Sequence, residues 1–263
     1  MELVSVRDMT KPSGAQAVDR AAHLLTRVVD SARSVTFSEL AESTGLAKST
    51  TSRLLTALER NGLLRREADG AFVPGDAFVR YSLRGNAETD LVAVATPFLE
   101  RLGEVCRETI NLGVLRHALV EQIAQVDSRY VLGGTNWLGR AEPVHCTALG
   151  KVFLAYGVAT LPAGRLARLT PRTITSRTVL EDDLDQVRRR GYARADEELE
   201  EGLVAVAAPV RRRDGEVIAA LSVSGPSSRL GAARVRETGA QCIAEADALS
   251  AALGFRSEGE GAT

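Results

Sequence analysis

Apolar positions in the first quarter of the chain recur every three to four residues. From Ala17, the residues Val18, Ala21, Ala22, Leu25, Val28 and Val29 keep this spacing, which predicts a first helix ending near Asp30. Residues 1–14 are polar, contain Pro12 and Gly14, and read as a flexible arm. Thr36 and Glu39 stand in the T-x-x-E pattern of a capping box, so a second helix starts there, and Gly45 breaks it. A third helix is predicted from about Lys48 to Arg60, with Leu54, Leu55 and Leu58 facing inward and Asn61-Gly62 closing it. Two short extended runs, Leu63–Arg66 and Ala71–Val73, then flank Asp69-Gly70 as a small hairpin. Three helices followed by a hairpin make a winged helix-turn-helix.

Beyond a short connecting helix within Gly75–Gly85, a longer helical pattern runs from Glu88 to Arg107. It carries Leu91, Val94, Ala95, Phe98, Leu102 and Val105, and Pro97 inside it should kink it or divide it. The pattern then becomes mixed α and β. Thr109–Leu115 and Leu119–Val126 read as paired strands and Thr147–Tyr156 as a helix. Thr178 and Glu181 form a capping pattern for a helix that closes at Arg188–Arg190 and Gly191, with its cations at the end the helix dipole favours. Leu203–Arg211 and Glu216–Ser224 flank Asp214-Gly215 as a second hairpin. A last helix from about Ala232 to Leu253 buries Val235, Cys242, Ile243, Ala246 and Leu249. The expected class is α+β, with a small helical N-terminal domain and a larger one built around a single antiparallel sheet.

Charge changes this picture locally. The 263-residue chain has a net charge of -1, so a nucleic-acid partner requires a local basic patch. The third helix supplies one. It opens with Lys48, Ser49, Thr50, Thr51, Ser52 and Arg53, and the hairpin adds Arg65 and Arg66. In a helix-turn-helix the second helix of the motif places its N-terminal residues against base edges. Arg reads guanine bidentately, while Ser and Thr contact bases or phosphates. These eight residues are the candidate DNA contacts, and Ser49, Thr50 and Arg53 are expected to share one exposed face. The plainer alternative is a helical hairpin packed in a larger domain with its hydroxyls merely exposed. A capping box, turn glycine, polar start, apolar back and following wing all favour the DNA reading.

Cys106, Cys146 and Cys242 are widely spaced and odd in number, as expected for reduced thiols in a cytoplasm. The N-terminus lacks the apolar core of a signal peptide, and no apolar run approaches the roughly 18 residues of a membrane helix. Enzyme readings fail on residue chemistry. A phosphate loop ending at Gly150-Lys151 would need Gly at His145 and Ser or Thr at Val152. His145 and Cys146 are adjacent, so their side chains diverge. No closely spaced zinc ligands occur, and neither a metal nor a cofactor is expected. The acidic run Asp196, Glu197, Glu198, Glu200, Glu201 has the chemistry to bind a cation, but such a run is more often a solvated loop.

Two blocks carry a family resemblance. The first is AVDRAAHLL with FSELAESTGLAKSTTSRLLTALERNGLL. The second is EPVHCTALGKVFLA with GYARADEELEEGLVAVAAPVRRRDGEVIAALSVSGP. Together they span about residues 15–255, and the chain resembles the IclR family of bacterial transcriptional regulators. The resemblance implies a winged helix-turn-helix DNA-binding domain over 15–75 and a linker helix over 76–90. It implies a GAF-like α/β effector-binding and oligomerisation domain over 91–255, followed by a tail over 256–263. It further implies homodimers, often paired into homotetramers, on palindromic or paired double-stranded DNA operators. A small organic effector is implied as well, and an aromatic or aliphatic acid is the first candidate. The family pocket, carried over, falls on His145, Cys146, Thr147, Ala148 and Leu149, on Asp196 and Glu197, and on Ser222 and Ser224, with Leu132 and Trp137 closing it. Ala195 and Ala205 stand where some relatives that take small keto acids carry Asp and Cys, so a less polar pocket with room for a bulkier ligand is expected. Ser222 and Ser224 point to one face of their strand, and free N–H groups at the start of the 147–156 helix suit an anion or carbonyl. An interaction module without sequence-specific DNA binding is the alternative of a different class.

Overall fold

The computed structural model describes residues 13–31, 33–82, 87–130 and 136–256. The tail beyond 256, most of the expected arm and Leu132 lie outside the described residues. The chain divides into two compact units, Met1–Ala87 and Glu88–Thr263.

The N-terminal unit holds α1 (Ser13–Val29), α2 (Phe37–Thr44), α3 (Lys48–Arg60), the strands β1 (Leu64–Arg66) and β2 (Phe72–Pro74), and α4 (Asp76–Ser82). Helix α1 takes in Ser13 and Gly14, which the sequence assigned to the arm. Thr36 and Glu39 form the full reciprocal capping box: the Thr36 hydroxyl accepts from Glu39 N–H, and the Glu39 carboxylate accepts from Thr36 N–H at 2.8 Å. Gly45 closes α2 in the left-handed region at φ 61. Leu24, Val28, Leu40, Leu55, Leu58, Leu64 and Phe72 form one core, so the helices and the wing share an apolar centre. The wing is tied in by a two-way backbone bridge between Val35 and Phe72. Val18, expected inward, is 68% exposed, while Leu24 is fully buried. The buried phase of α1 follows Leu24 and Val28, and Val18 lies beyond the reach of this core.

In the C-terminal unit, α5 (Ala87–Cys106) runs as one helix through Pro97 and through the expected boundary at residue 90. Six strands follow: β3 (Thr109–Arg116), β4 (Leu119–Val126), β5 (Ala141–Pro143), β6 (Ala193–Asp196), β7 (Leu203–Arg211) and β8 (Val217–Pro226). They form one antiparallel sheet in the order β5-β4-β3-β8-β7-β6. Helices α6 (Ala148–Ala155), α7 (Arg177–Arg190) and α8 (Ala232–Ala252) complete the unit.

Strand alternation sorts side chains between two cores. Ile110, Leu112, Val206, Leu221 and Val223 pack with α5 and α8 on one face. Val120, Ala195, Ala207 and Ala220 pack with α6 and α7 on the other. Helix α7 begins at Ser176, whose hydroxyl accepts from Val179 N–H, so the true cap precedes the expected Thr178. Helix α6 is buried on every side, from Ala148 to Ala155. It lies so close to the residue that follows β5 that a Cβ on Gly150 would sit 2.3 Å from the Val144 backbone. Only glycine allows that approach.

Candidate DNA-reading helix and effector pocket

On α3, Lys48, Ser49, Ser52 and Arg53 are exposed and Thr50 is half-buried. Thr51 is a correction. It is 0% exposed, and its hydroxyl is turned back to the Ala47 carbonyl at 3.4 Å. The helical period puts position 51 on the same face as Leu55 and Leu58, so this hydroxyl supports the core and does not reach DNA. The exposed face is therefore Ser49, Ser52, Arg53 and the further residue Thr56, at i, i+3, i+4 and i+7. The N-cap is Ala47, which provides no side-chain cap. Thr50 and Thr51 N–H bond to the Ala47 carbonyl, and the earlier amides of the first turn remain for a phosphate or base.

The two wing cations differ. Arg66 is bonded to the Glu59 carboxylate at 3.3 and 3.4 Å and lies over the Phe72 ring at 4.7 Å. Arg65 reaches only a 4.0 Å pairing with Glu67, and more than half of its side chain is exposed. Arg65 is the cation with freedom to meet a backbone; Arg66 partly braces the wing.

In the C-terminal unit a cavity opens over the α6 start. Every strand of the sheet contributes to its lining: Asn111 from β3, Gln122 from β4, Glu142 from β5, Ala195 from β6, Leu203 and Ala205 from β7, Ser222 and Ser224 from β8. Trp137, Leu199 and the segment Cys146, Thr147, Ala148, Leu149 complete it. Register explains the convergence. Asn111 pairs with Ser222, Ala205 with Ser224, and Ala195 with Ala205, so these residues share one face of neighbouring strands. The Thr147 hydroxyl accepts from Gly150 N–H at 3.1 Å and so caps α6. Ala148 and Leu149 N–H have no hydrogen-bond partner among the described residues.

Three expected pocket residues lie outside this lining. His145 Nε2 bonds the Ala167 carbonyl at 2.9 Å. Asp196 pairs with Arg194 at 2.7 Å and Arg172 at 3.1 Å. Glu197, at φ 57, accepts from Gly202 N–H and pairs with Arg172. In each case another part of the chain holds at least one of the polar atoms. Cys146 does line the cavity, but burial, reinforced by the nearby Glu198 and Glu142 carboxylates, pushes its thiol up to about 12. It is a small buried lining group and a poor nucleophile.

The sequence did not single out Asn111, Gln122 or Glu142 for the pocket. Gln122 left a signal: it shares the inward face of β4 with Val120, where a polar residue is out of pattern. Glu142 left none, because a three-residue strand has no readable period. These three add polar groups to a lining in which Ala195 and Ala205 supply none. Among the described residues no group of His, Cys, Asp or Glu is placed to hold a metal, and no helix is long and apolar enough to cross a membrane.

Comparison with known proteins matches both units. The model described as bacterial transcriptional regulator IclR C-terminal matches residues 86–251, and the IclR helix-turn-helix domain matches residues 17–68. The chain belongs to the IclR family. It is 34% identical over 254 residues to the acetate operon repressor of Salmonella typhimurium, covering 91% of this chain and 90% of that protein. To the transcriptional regulator KdgR of Escherichia coli it is 34% identical over 237 residues, covering 85% and 87%. Among solved structures it resembles the Agobacterium tumefaciens repressor BlcR (TM-score 0.71, 27% identity, 94% and 100% covered). It also resembles an IclR homolog from Microbacterium hydrocarbonoxydans complexed with 4-hydroxybenzoate (TM-score 0.57, 26% identity, 90% and 98% covered). This IclR-family chain is thus a transcriptional regulator, with a helix-turn-helix DNA-binding domain and a C-terminal ligand-binding domain. The winged helix and the α/β sheet domain stand as the sequence implied.

Proposed function

We propose that this chain binds a palindromic or paired operator as a homodimer, paired into a homotetramer, and that a small organic acid in the six-strand cavity changes its operator affinity. It acts as a regulator and not as an enzyme. The observation that carries the DNA assignment is the exposed Ser49–Ser52–Arg53–Thr56 face beside the uncapped start of α3. Arg53 is the base-reading residue, Lys48 and Arg65 neutralise phosphates, and Ser49 and Ser52 fix register. Two such helices in a dimer stand about one DNA turn, or a multiple, apart.

The effector assignment is supported by the cavity's mixed lining and by the acid bound in the Microbacterium hydrocarbonoxydans homolog. The free Ala148 and Leu149 amides suit a carboxylate. The effector shifts the population of protein able to span both half-sites, and so must bind the two populations unequally.

The deciding experiment is a gel shift on the gene's own upstream DNA across a salt series, with and without acids found by thermal shift. Operator affinity falls steeply with salt and changes with at least one acid. That acid's effect is lost in Ala205→Phe, which fills the cavity. Operator binding indifferent to every acid that raises the melting temperature overturns the regulatory part.

A further inference from the structure

Within this cavity, two side chains remain unexplained by anything described so far. Gln122 and Glu142 are 5% and 6% exposed, and both line the cavity. Gln122 Nε2 donates to Glu142 Oε2 at 3.1 Å. That bond orients the amide, so Gln122 Oε1 is left as an acceptor. Gln122 Oε1 and Glu142 Oε1 are both buried without a hydrogen-bond partner among the described residues. A buried acceptor that lacks a donor destabilises a fold, and native proteins keep few of them. Here two occur side by side on neighbouring strands, in the wall of a cavity.

The charge balance points the same way. No ion pair to Glu142 occurs among the described residues. The nearby guanidinium of Arg140 belongs to an exposed residue and stacks over Trp137 at 5.2 Å. Burial pushes the Glu142 carboxyl above its usual range, against the weaker pull of Gln122 and Arg140. Its Oε1 therefore lacks a donor, and the carboxyl lacks a paired cation among the described residues. Elsewhere the same lining offers donors: the Ala148 and Leu149 amides, and the Ser222 hydroxyl, which bonds to no described residue. One part of the cavity accepts and another donates. A plain aliphatic or aromatic acid satisfies only the donating part. The cavity volume is about 40 Å³, against roughly 10–15 Å³ for a single water, so the fit is to a molecule of few heavy atoms.

We propose that the effector is a small carboxylate that also carries a hydrogen-bond donor, a hydroxyl or an amine, received by Glu142 and Gln122. The proposal rests on the cavity being the effector site. An ammonium would supply the missing counter-charge as well as donors; a hydroxyl would supply one donor only.

Trp137 is the chain's single tryptophan and lines the cavity, so its fluorescence reports binding there. The full chain is titrated with propanoate, 3-hydroxypropanoate and 3-aminopropanoate. The hydroxy or the amino compound binds at least tenfold more tightly than propanoate, and Glu142→Met removes that preference while propanoate binding is kept. The ranking of the two donor compounds separates amine from hydroxyl. Propanoate binding as tightly as both, or a preference that survives in Glu142→Met, overturns the proposal. If that propanoate signal disappears in Ala205→Phe, the cavity still stands as the effector site. Silence of all three compounds also overturns the proposal, while any larger acid whose binding is lost in Ala205→Phe keeps the cavity reading alive. A measurement free of ligand completes the test. The double variant Gln122→Met/Glu142→Met melts no lower than the parent, because both orphan acceptors are gone. A melting temperature several degrees lower shows the pair to be structural support and overturns the proposal.

Discussion

Lys151 Nζ lies 2.6 Å from Glu198 Oε1, and the lysine side chain is only 1% exposed. Asp183 Oδ2 at 2.8 Å and the Arg194 carbonyl at 3.1 Å take the other two ammonium hydrogens. All three donors are spent on α7, on β6 and on Glu198, a buried member of the acidic run that is therefore not solvated at this position. The lysine of the ALGK stretch is thus a structural tie beneath the cavity and binds no phosphate. Lys151→Met strands buried carboxylates, and a loss of about 3–5 kcal/mol is expected for breaking such a pair. Urea unfolding of the full chain checks this, and a loss under 1 kcal/mol would contradict the assignment.

Neighbouring positions on α3 separate reading from packing. Arg53→Ala weakens operator binding by about 1–3 kcal/mol and relaxes sequence preference. Thr51→Val, which keeps the shape of a fully buried side chain, leaves operator affinity within twofold and shifts stability by no more than about 1 kcal/mol, since a single net hydrogen bond contributes that much. Gel shift and thermal melting are read on both. An Arg53→Ala protein with unchanged affinity places the reading face elsewhere.

Gly150 should tolerate nothing larger. Alanine there meets the Val144 backbone, a partner that cannot swing aside. The expected cost of Gly150→Ala is about 3 kcal/mol, at the upper end for overpacking. The control is Gly164→Ala, where a Cβ meets nothing within 4 Å and only the positive φ is strained. Equal melting temperatures for the two variants would show that α6 can move.

The buried Glu142 carboxyl makes stability depend on pH in a definite direction. Unfolded, it titrates near 4.5; folded, burial raises it. Between those two values the folded chain holds more protons than the unfolded chain, so this group's contribution to stability falls as pH rises. Glu142→Gln removes that component. Melting curves from pH 4 to 8 should therefore converge at low pH and diverge above 4.5, with the variant higher.

Local signals carried most of the fold. The Thr36–Glu39 capping box, the Gly45 break and the Asp69-Gly70 turn act within a few residues, so the winged helix was readable before any contact was known. The α7 cap was misplaced because Ser176 and Thr178 are both competent hydroxyls two residues apart, and only the extended backbone at Ser176 decides between them. Thr51 differs for another reason: its helical phase is visible in the sequence, but a hydroxyl among hydroxyls reads as surface, and the structure buries it. The pocket was half legible. Ser222 and Ser224 are implied by the family resemblance, and strand alternation adds that both point to one face. Asn111, Gln122 and Glu142 meet them only through the register of β3, β4 and β5, which no local pattern encodes.

The burial of α6 on every side has a consequence for lineage. A helix with no free face and a glycine pressed on backbone can accept few changes, so the floor of the sensor drifts slowly. The residues that vary chemistry, Gln122, Glu142, Ala195 and Ala205, sit instead on four different strands. None of the four supplies an acceptor to Lys151. If the cavity is the effector site as proposed, single wall substitutions change its specificity while the frame stays the same.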